Sequence, residues 1–155
     1  MIELENLNNT DIDFILKNWV GTDVLPGYSF SHSREEISKL INTWNQKIYH
    51  DNYFELFIIK LDSINTGLLS LYQQNNNLSV GISIHPNFQK QGIASKAIKI
   101  IERKAKNDGW KNLLSQCRVD NLVSVKFHEK CGFICVDKIT NSKRHEVFIW
   151  KIQLN

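Results

Sequence analysis

The chain has 155 residues, 42% hydrophobic and 23% charged, with 19 Lys+Arg against 16 Asp+Glu for a formal charge of +3. That length suits one domain with a core of its own, and the composition excludes intrinsic disorder. The weak positive balance excludes a dedicated nucleic-acid binder, yet it leaves room for a local pocket that holds a small polyanion.

Residues 2–7 alternate apolar and polar, the pattern of a short strand. Thr10 and Asp11 offer a cap for a helix with Ile12, Ile15, Leu16 and Trp19 on one face. Residues 20–30 hold two glycines and a proline and read as a loop. Ser33 with Glu36 forms a capping box, and the helix it opens buries Ile37, Leu40, Ile41 and Trp44. Strands follow over 54–61, 67–72 and 78–84, the last two joined as a hairpin across a Gln and Asn turn. Pro86 ends the strand over 78–84. Residues 93–106 set Ile93, Ala94, Ala97, Ile98, Ile101 and Ala105 at helical spacing, and Asn107-Asp108-Gly109 stops that helix with a left-handed cap. A strand over 113–119, a short helix over 121–130 and closing strands over 133–138 and 146–154 complete the order. It predicts an α+β (mixed α/β) fold in a single domain, 1–155, with about seven strands in one mostly antiparallel sheet and about four helices.

Three cysteines, Cys117, Cys131 and Cys135, are an odd number without a CxxC pair. Neither a disulfide framework nor a metal site is expected, and reduced, mostly buried thiols suit a cytoplasmic protein. The N-terminal residues lack the basic start and apolar run of a signal peptide. No stretch approaches the ~20 apolar residues that span a bilayer, so no membrane partner is expected.

The informative stretch runs from Val80 to Ala94. A strand enters a tight polar turn, Gln89-Lys90-Gln91-Gly92, which opens directly into a helix at Ile93. The first N–H groups of a helix have no partner inside it and carry the positive end of its dipole, so phosphate oxygens are their natural ligands. Gly92 lets the backbone approach a pyrophosphate closely and take a positive φ. Ala94 is small beside the anion, and Lys90 adds a cation. The GxGxxG and GxxxxGK[ST] patterns are absent, so neither dinucleotide fingerprint nor P-loop explains the turn. Downstream, Asn121, Ser124 and His128 fall on one face of the short helix, Gly132 ends it, and Phe133 starts the next strand.

Together Gln89-Lys90-Gln91-Gly92-Ile93-Ala94 and the run from Asn121 to Phe133 resemble the two signatures of the GNAT superfamily of acyl-CoA-dependent N-acetyltransferases. The resemblance is good over residues 78–135, and the element order fits the whole chain. It implies acetyl-CoA as co-substrate, no metal, and direct transfer of an acetyl group to a primary amine of a small molecule or peptide. A non-catalytic acyl-CoA-binding or regulatory module is the alternative. Pairing as a homodimer is left open by the resemblance.

The resemblance further implies a sheet splayed between its fourth and fifth strands, 78–84 and 113–119. The backbone of Ile82, Ser83 and Ile84 would pair with the pantetheine arm. The backbone of Gln89, Lys90, Gln91, Gly92, Ile93 and Ala94 would hold the pyrophosphate, and the Asn121 side chain would bind the pantetheine region. His128 stands where the family often has a Tyr that protonates the departing thiolate, and an imidazole can do the same. The family's usual carboxylate positions for the general base hold Gln116 and Ser79. Glu55 heads the remaining candidates, with His145, Glu146 and His85 after it, and water relay from a neutral amine is the option without a base. Acceptor selectivity would come from residues 19–32 and the hairpin near 138–148. Tyr28, Phe30 and Trp44 are pocket or core residues there, and Asp23, Glu35 and Glu36 are groups that attract a cationic amine or simply face solvent.

Overall fold

A computed structural model describes residues 1–19, 33–49 and 51–155. The element order is β1 (Ile2–Asn6), α1 (Ile12–Asn18), α2 (Arg34–Trp44), β2 (Ile48–Tyr49), β3 (Asn52–Leu61), β4 (Ile64–Gln74), β5 (Asn77–Ile84), α3 (Ile93–Asn107), β6 (Asn112–Arg118), α4 (Leu122–Lys130), β7 (Ile134–Thr140) and β8 (Glu146–Gln153). The strands order as β1-β3-β4-β5-β6-β8-β7, with the two-residue β2 paired to β3 at the side. Every neighbouring pair is antiparallel except β5 with β6. The α+β class, the mostly antiparallel sheet and the four helices are those expected from the sequence.

Local chemistry explains where the elements begin and end. Asn8, rather than Thr10 or Asp11, caps the first helical turn, because its side chain accepts from the Thr10 N–H while Asp11 accepts from the Asn8 N–H. The turn it opens is a short 3-10 helix, Asn9–Asp11, that runs into α1. Ser33 accepts from the Glu36 N–H and starts α2. The β4–β5 hairpin closes tightly at Asn75, whose φ of 55° is a conformation that Asn tolerates better than most residues. β4 begins three residues earlier than Gly67 because a bulge at Ile59/Lys60 lets Ile64 and Asn65 continue the pairing with β3.

The sheet separates two apolar layers. Ile12, Ile15 and Trp19 of the first helical segment and Ile37, Ile41 and Trp44 of α2 pack on Leu56, Ile58 and Leu68. Ile93, Ala97, Ile98, Ile101 and Ala105 of α3 pack on the other face, against Phe57, Leu69, Leu113, Trp150 and Ile152. Burying a side chain of Ile size contributes roughly 1.5–3 kcal/mol, so α3 is anchored along its whole length. Its partners come from both β3–β4 and β6–β8, so α3 holds the two halves of the sheet together. Leu40, expected in the core, is only half-buried, as is Ala94 at the start of α3. Of the three thiols, Cys117 and Cys131 are buried and Cys135 is exposed on β7.

Candidate active site

β5 and β6 touch only at Leu78↔Leu113 and Ser79↔Leu114. Beyond that point the two parallel strands diverge, while β5 stays paired to β4 as far as Gly67↔Ile84. The sheet therefore opens into a wedge-shaped gap flanked by Val80 to Ile84 on one side and Ser115 to Arg118 on the other. The gap opens toward the start of α3 and the start of α4, so the positive ends of both helix dipoles face its mouth.

The turn ahead of α3 is built to leave its donors free. Pro86–Phe88 forms a 3-10 turn, and His85 caps it by accepting from the Asn87 N–H at 3.1 Å. The Gln89 N–H bonds back to Pro86 at 3.4 Å, and its side-chain amide donates to the Ile84 carbonyl at 3.0 Å. Lys90 and Gly92 then both take left-handed backbone, at φ 62° and 77°. Among the described residues the N–H groups of residues 90–95 make no hydrogen bond, and the first helical bond runs from the Lys96 N–H to Gly92. A Cβ built at Gly92 would meet nothing within 4 Å. Six successive donors thus surround open space, the geometry of an anion cradle.

This arrangement corrects two expectations. Gln89 offers no free N–H, because the 3-10 turn uses it; the donor run begins at Lys90 and extends to Ser95. The Ile84 carbonyl is held by the Gln89 side chain. The register that bonds the His85 N–H to the Thr66 carbonyl turns the Ser83 backbone toward β4, so Ile82 and the Ile84 N–H carry the free stretch of β5. Gly67, which periodicity alone left unexplained, is the residue opposite this strand end. A Cβ there would lie 2.5 Å from the Ser83 carbonyl oxygen.

A mixed sheet opened between two parallel strands, with an anion cradle at its mouth, matches one known architecture. The acetyltransferase (GNAT) domain family covers residues 2–134. The chain belongs to the GNAT acetyltransferases. No curated protein matches it by sequence. Its fold is similar to that of the spermidine N-acetyltransferase from Vibrio cholerae solved with CoA and spermine, at 20% identity and a TM-score of 0.80 over 99% of this chain and 95% of that one. The same identity, TM-score and coverage hold for the acetyltransferase from Salmonella typhimurium that modifies the N-terminal serine of ribosomal protein L7/L12. An N-acetyltransferase from Staphylococcus aureus Mu50 is similar at 16% identity and a TM-score of 0.78, over 100% of this chain and 99% of that one.

Within this GNAT frame, His128 is more deeply set than its place on α4 suggests, at 4% exposure. Its Nδ1 lies 2.7 Å from the Ser124 carbonyl oxygen and its Nε2 lies 2.8 Å from Ser115 Oγ. A carbonyl only accepts, so the proton sits on Nδ1 and Nε2 accepts from the Ser115 hydroxyl. The ring stacks on Trp150 at 5.2 Å and 15°. Burial pushes its pKa below the ordinary 6.5, against an opposing contribution from the Ser124 carbonyl. Direct protonation of a departing thiolate by His128 is therefore corrected, since neither ring nitrogen has an N–H to aim into the gap. Ser115, which sequence periodicity did not single out, is the group that stands between His128 and the gap.

Asn121 caps α4 by accepting from the Ser124 N–H at 3.1 Å. That uses its oxygen and leaves its exposed amide N–H groups free at the mouth of the gap. Ser83 Oγ accepts from the Trp19 indole at 3.0 Å, which ties the end of α1 to the free end of β5.

Glu55 is not brought to the site. It is 2% exposed on the α3 side of β3, hydrogen-bonded by Tyr53 Oη and by Asn6 Nδ2, and 3.6 Å from Lys104 Nζ. Lys104 lies eleven residues along α3 from Ile93, about 16 Å from the cradle. Glu55 neutralises a lysine and raises the Tyr53 pKa, after burial, as a structural cluster. His85 is committed as a cap, and His145 and Glu146 sit on the β7–β8 hairpin beside the end of β6. Gln116 is exposed on the face of β6 opposite Ser115. Trp44 is core, and Glu35 and Glu36 are exposed in the first turn of α2. Asp23, Tyr28, Phe30 and the loop over 20–30 lie outside the described residues.

Proposed function

We propose that the protein moves an acetyl group from acetyl-CoA directly to a primary amine of a small molecule or peptide. The observation that carries this reading is the run of unbonded N–H groups at residues 90–95 set at the mouth of a split sheet. The residues present fit the co-substrate. Lys90 to Ala94 would take the pyrophosphate, with Ser95 added to the run. The open space at Gly92 gives the phosphates room, and the Lys90 ammonium adds charge. The Ile82 backbone and the Ile84 N–H would bind the pantetheine arm, and the Asn121 amide would donate to it. Acetyl-CoA supplies an acyl carbon activated as a thioester.

Support for an amine acceptor comes from the family and from the named substrates of similar folds, a polyamine in one and a protein N-terminus in another. Among the described residues no helix is long and apolar enough to cross a membrane, and no cluster of metal-binding side chains occurs. Calorimetric titration with acetyl-CoA tests the reading. Binding at one site per chain is expected, and Gly92→Glu should abolish it, because a carboxylate would enter the cradle at a backbone angle that disfavours a side chain. Undiminished binding by that variant would place the ligand elsewhere.

A further inference from the structure

Transfer of an acyl group from sulfur to an amine removes a proton from nitrogen and delivers one to sulfur. Glu55, the first carboxylate candidate, is held away from the gap by Lys104, Tyr53 and Asn6. Ser115 and His128 are placed to take that proton. Ser115 is the first β6 residue past the last β5–β6 pair, so it stands at the apex of the gap. It is half-buried, whereas His128 lies behind it and is buried. The hydroxyl proton points to His128 Nε2, which leaves the Ser115 oxygen with lone pairs for a ligand. The Nδ1–H bond to the Ser124 carbonyl fixes the tautomer and the ring, the logic of an oriented hydroxyl–imidazole pair.

We propose that Ser115 and His128 form a proton shuttle that carries the amine's proton to the departing sulfur. The inference rests on the acetyltransferase reading above. As the C–N bond forms, Ser115 Oγ takes the proton leaving nitrogen while its own proton passes to His128 Nε2. As the C–S bond breaks, His128 Nε2 returns a proton to Ser115, and Ser115 delivers its hydroxyl proton to sulfur. Both residues end as they began. The face of Trp150 under the ring stabilises the transient imidazolium. The other groups against the ring are Ser115 from β6, Ser124 and Phe127 from α4, and Phe133 after it. No ionised side chain among the described residues acts on its titration.

The test follows thiol release from acetyl-CoA with spermidine, spermine and a serine-initiated peptide, beside calorimetric binding of acetyl-CoA. Ser115→Ala and His128→Gln should each lower kcat by about 100-fold with Kd unchanged. The double variant should lose no more than either single one, because the two act as a unit. Ser115→Thr, which keeps the hydroxyl, should recover most of the rate. Wild-type kcat should fall on the acid side as His128 becomes charged, and this limb should vanish in His128→Gln. If His128→Gln does not fold, Ser115→Ala and Ser115→Thr decide. Turnover by Ser115→Ala within about threefold of wild type overturns the shuttle and leaves the acetyltransferase reading intact. Wild-type binding of acetyl-CoA without thiol release for any of these amines overturns both.

Discussion

His128 carries a stability consequence as well as a chemical one. In the unfolded chain its imidazole titrates near the ordinary 6.5, and in the fold, burial first of all sets it lower. Between those two values the unfolded chain holds more protons, so stability increases with pH. The contribution is complete above about pH 6.5 and is lost as the pH falls toward the folded value. Denaturant midpoints measured from pH 7.5 to 5 should show this slope, and His128→Gln should flatten it; an unchanged slope would mean that other groups carry the acid sensitivity. The position of His128 was legible in the sequence, seven residues after Asn121 on one helix. Its partner was not, because a single Ser in a strand has no periodicity to mark it. Only the contact between α4 and β6 reveals Ser115. Glu55 misled for the converse reason. A lone carboxylate among strand hydrophobics reads as chemistry, whereas Lys104, far along the chain on α3, folds back to neutralise it.

Among the elements, α3 does two jobs that its sequence pattern shows only in part. The 3.6-residue spacing of Ile93, Ala97, Ile98, Ile101 and Ala105 announces a buried face. It does not say that this face spans the gap and joins β3–β4 to β6–β8. Ile101 is fully buried within that junction. Ile101→Ala should cost about 2–5 kcal/mol in denaturant unfolding, and a loss near 1 kcal/mol would show that the layer closes up around the cavity. The strands β5 and β6 were both readable, but their divergence after two pairs was implied by family resemblance alone. Strand propensity is local, whereas splaying is set by what packs on each strand from elsewhere. At the first helix Asn8, Thr10 and Asp11 are all good cap residues, and only the bond pattern separates them: Asn8 caps the 3-10 turn, while Asp11 stands at the N-cap position of α1 without a side-chain cap bond.

The whole molecule is a sheet in two parts, joined by two residue pairs and by the α3 layer. A co-substrate that binds the folded gap and not the unfolded chain must stabilise the protein by mass action. At a hundredfold excess over Kd, acetyl-CoA should contribute about 2.7 kcal/mol. For a chain of this size that raises Tm by roughly 5–10 °C, which differential scanning fluorimetry reads directly. Absence of a shift at saturating acetyl-CoA would contradict binding to the native fold. The outer strand β7 and the free stretch of β5 are both unpaired edges, but they carry different risks. Open edges invite pairing with a second chain and so aggregation. On β7 the charges of Asp137 and Lys138 and the irregularity between Cys135 and Asp137 blunt that hazard. On β5 the edge is interior: β6 stands opposite it and narrows to full pairing at Ser79↔Leu114. The fold thus leaves one stretch of strand unpaired in its interior, where β6 opposite screens it from neighbouring chains in a crowded solution.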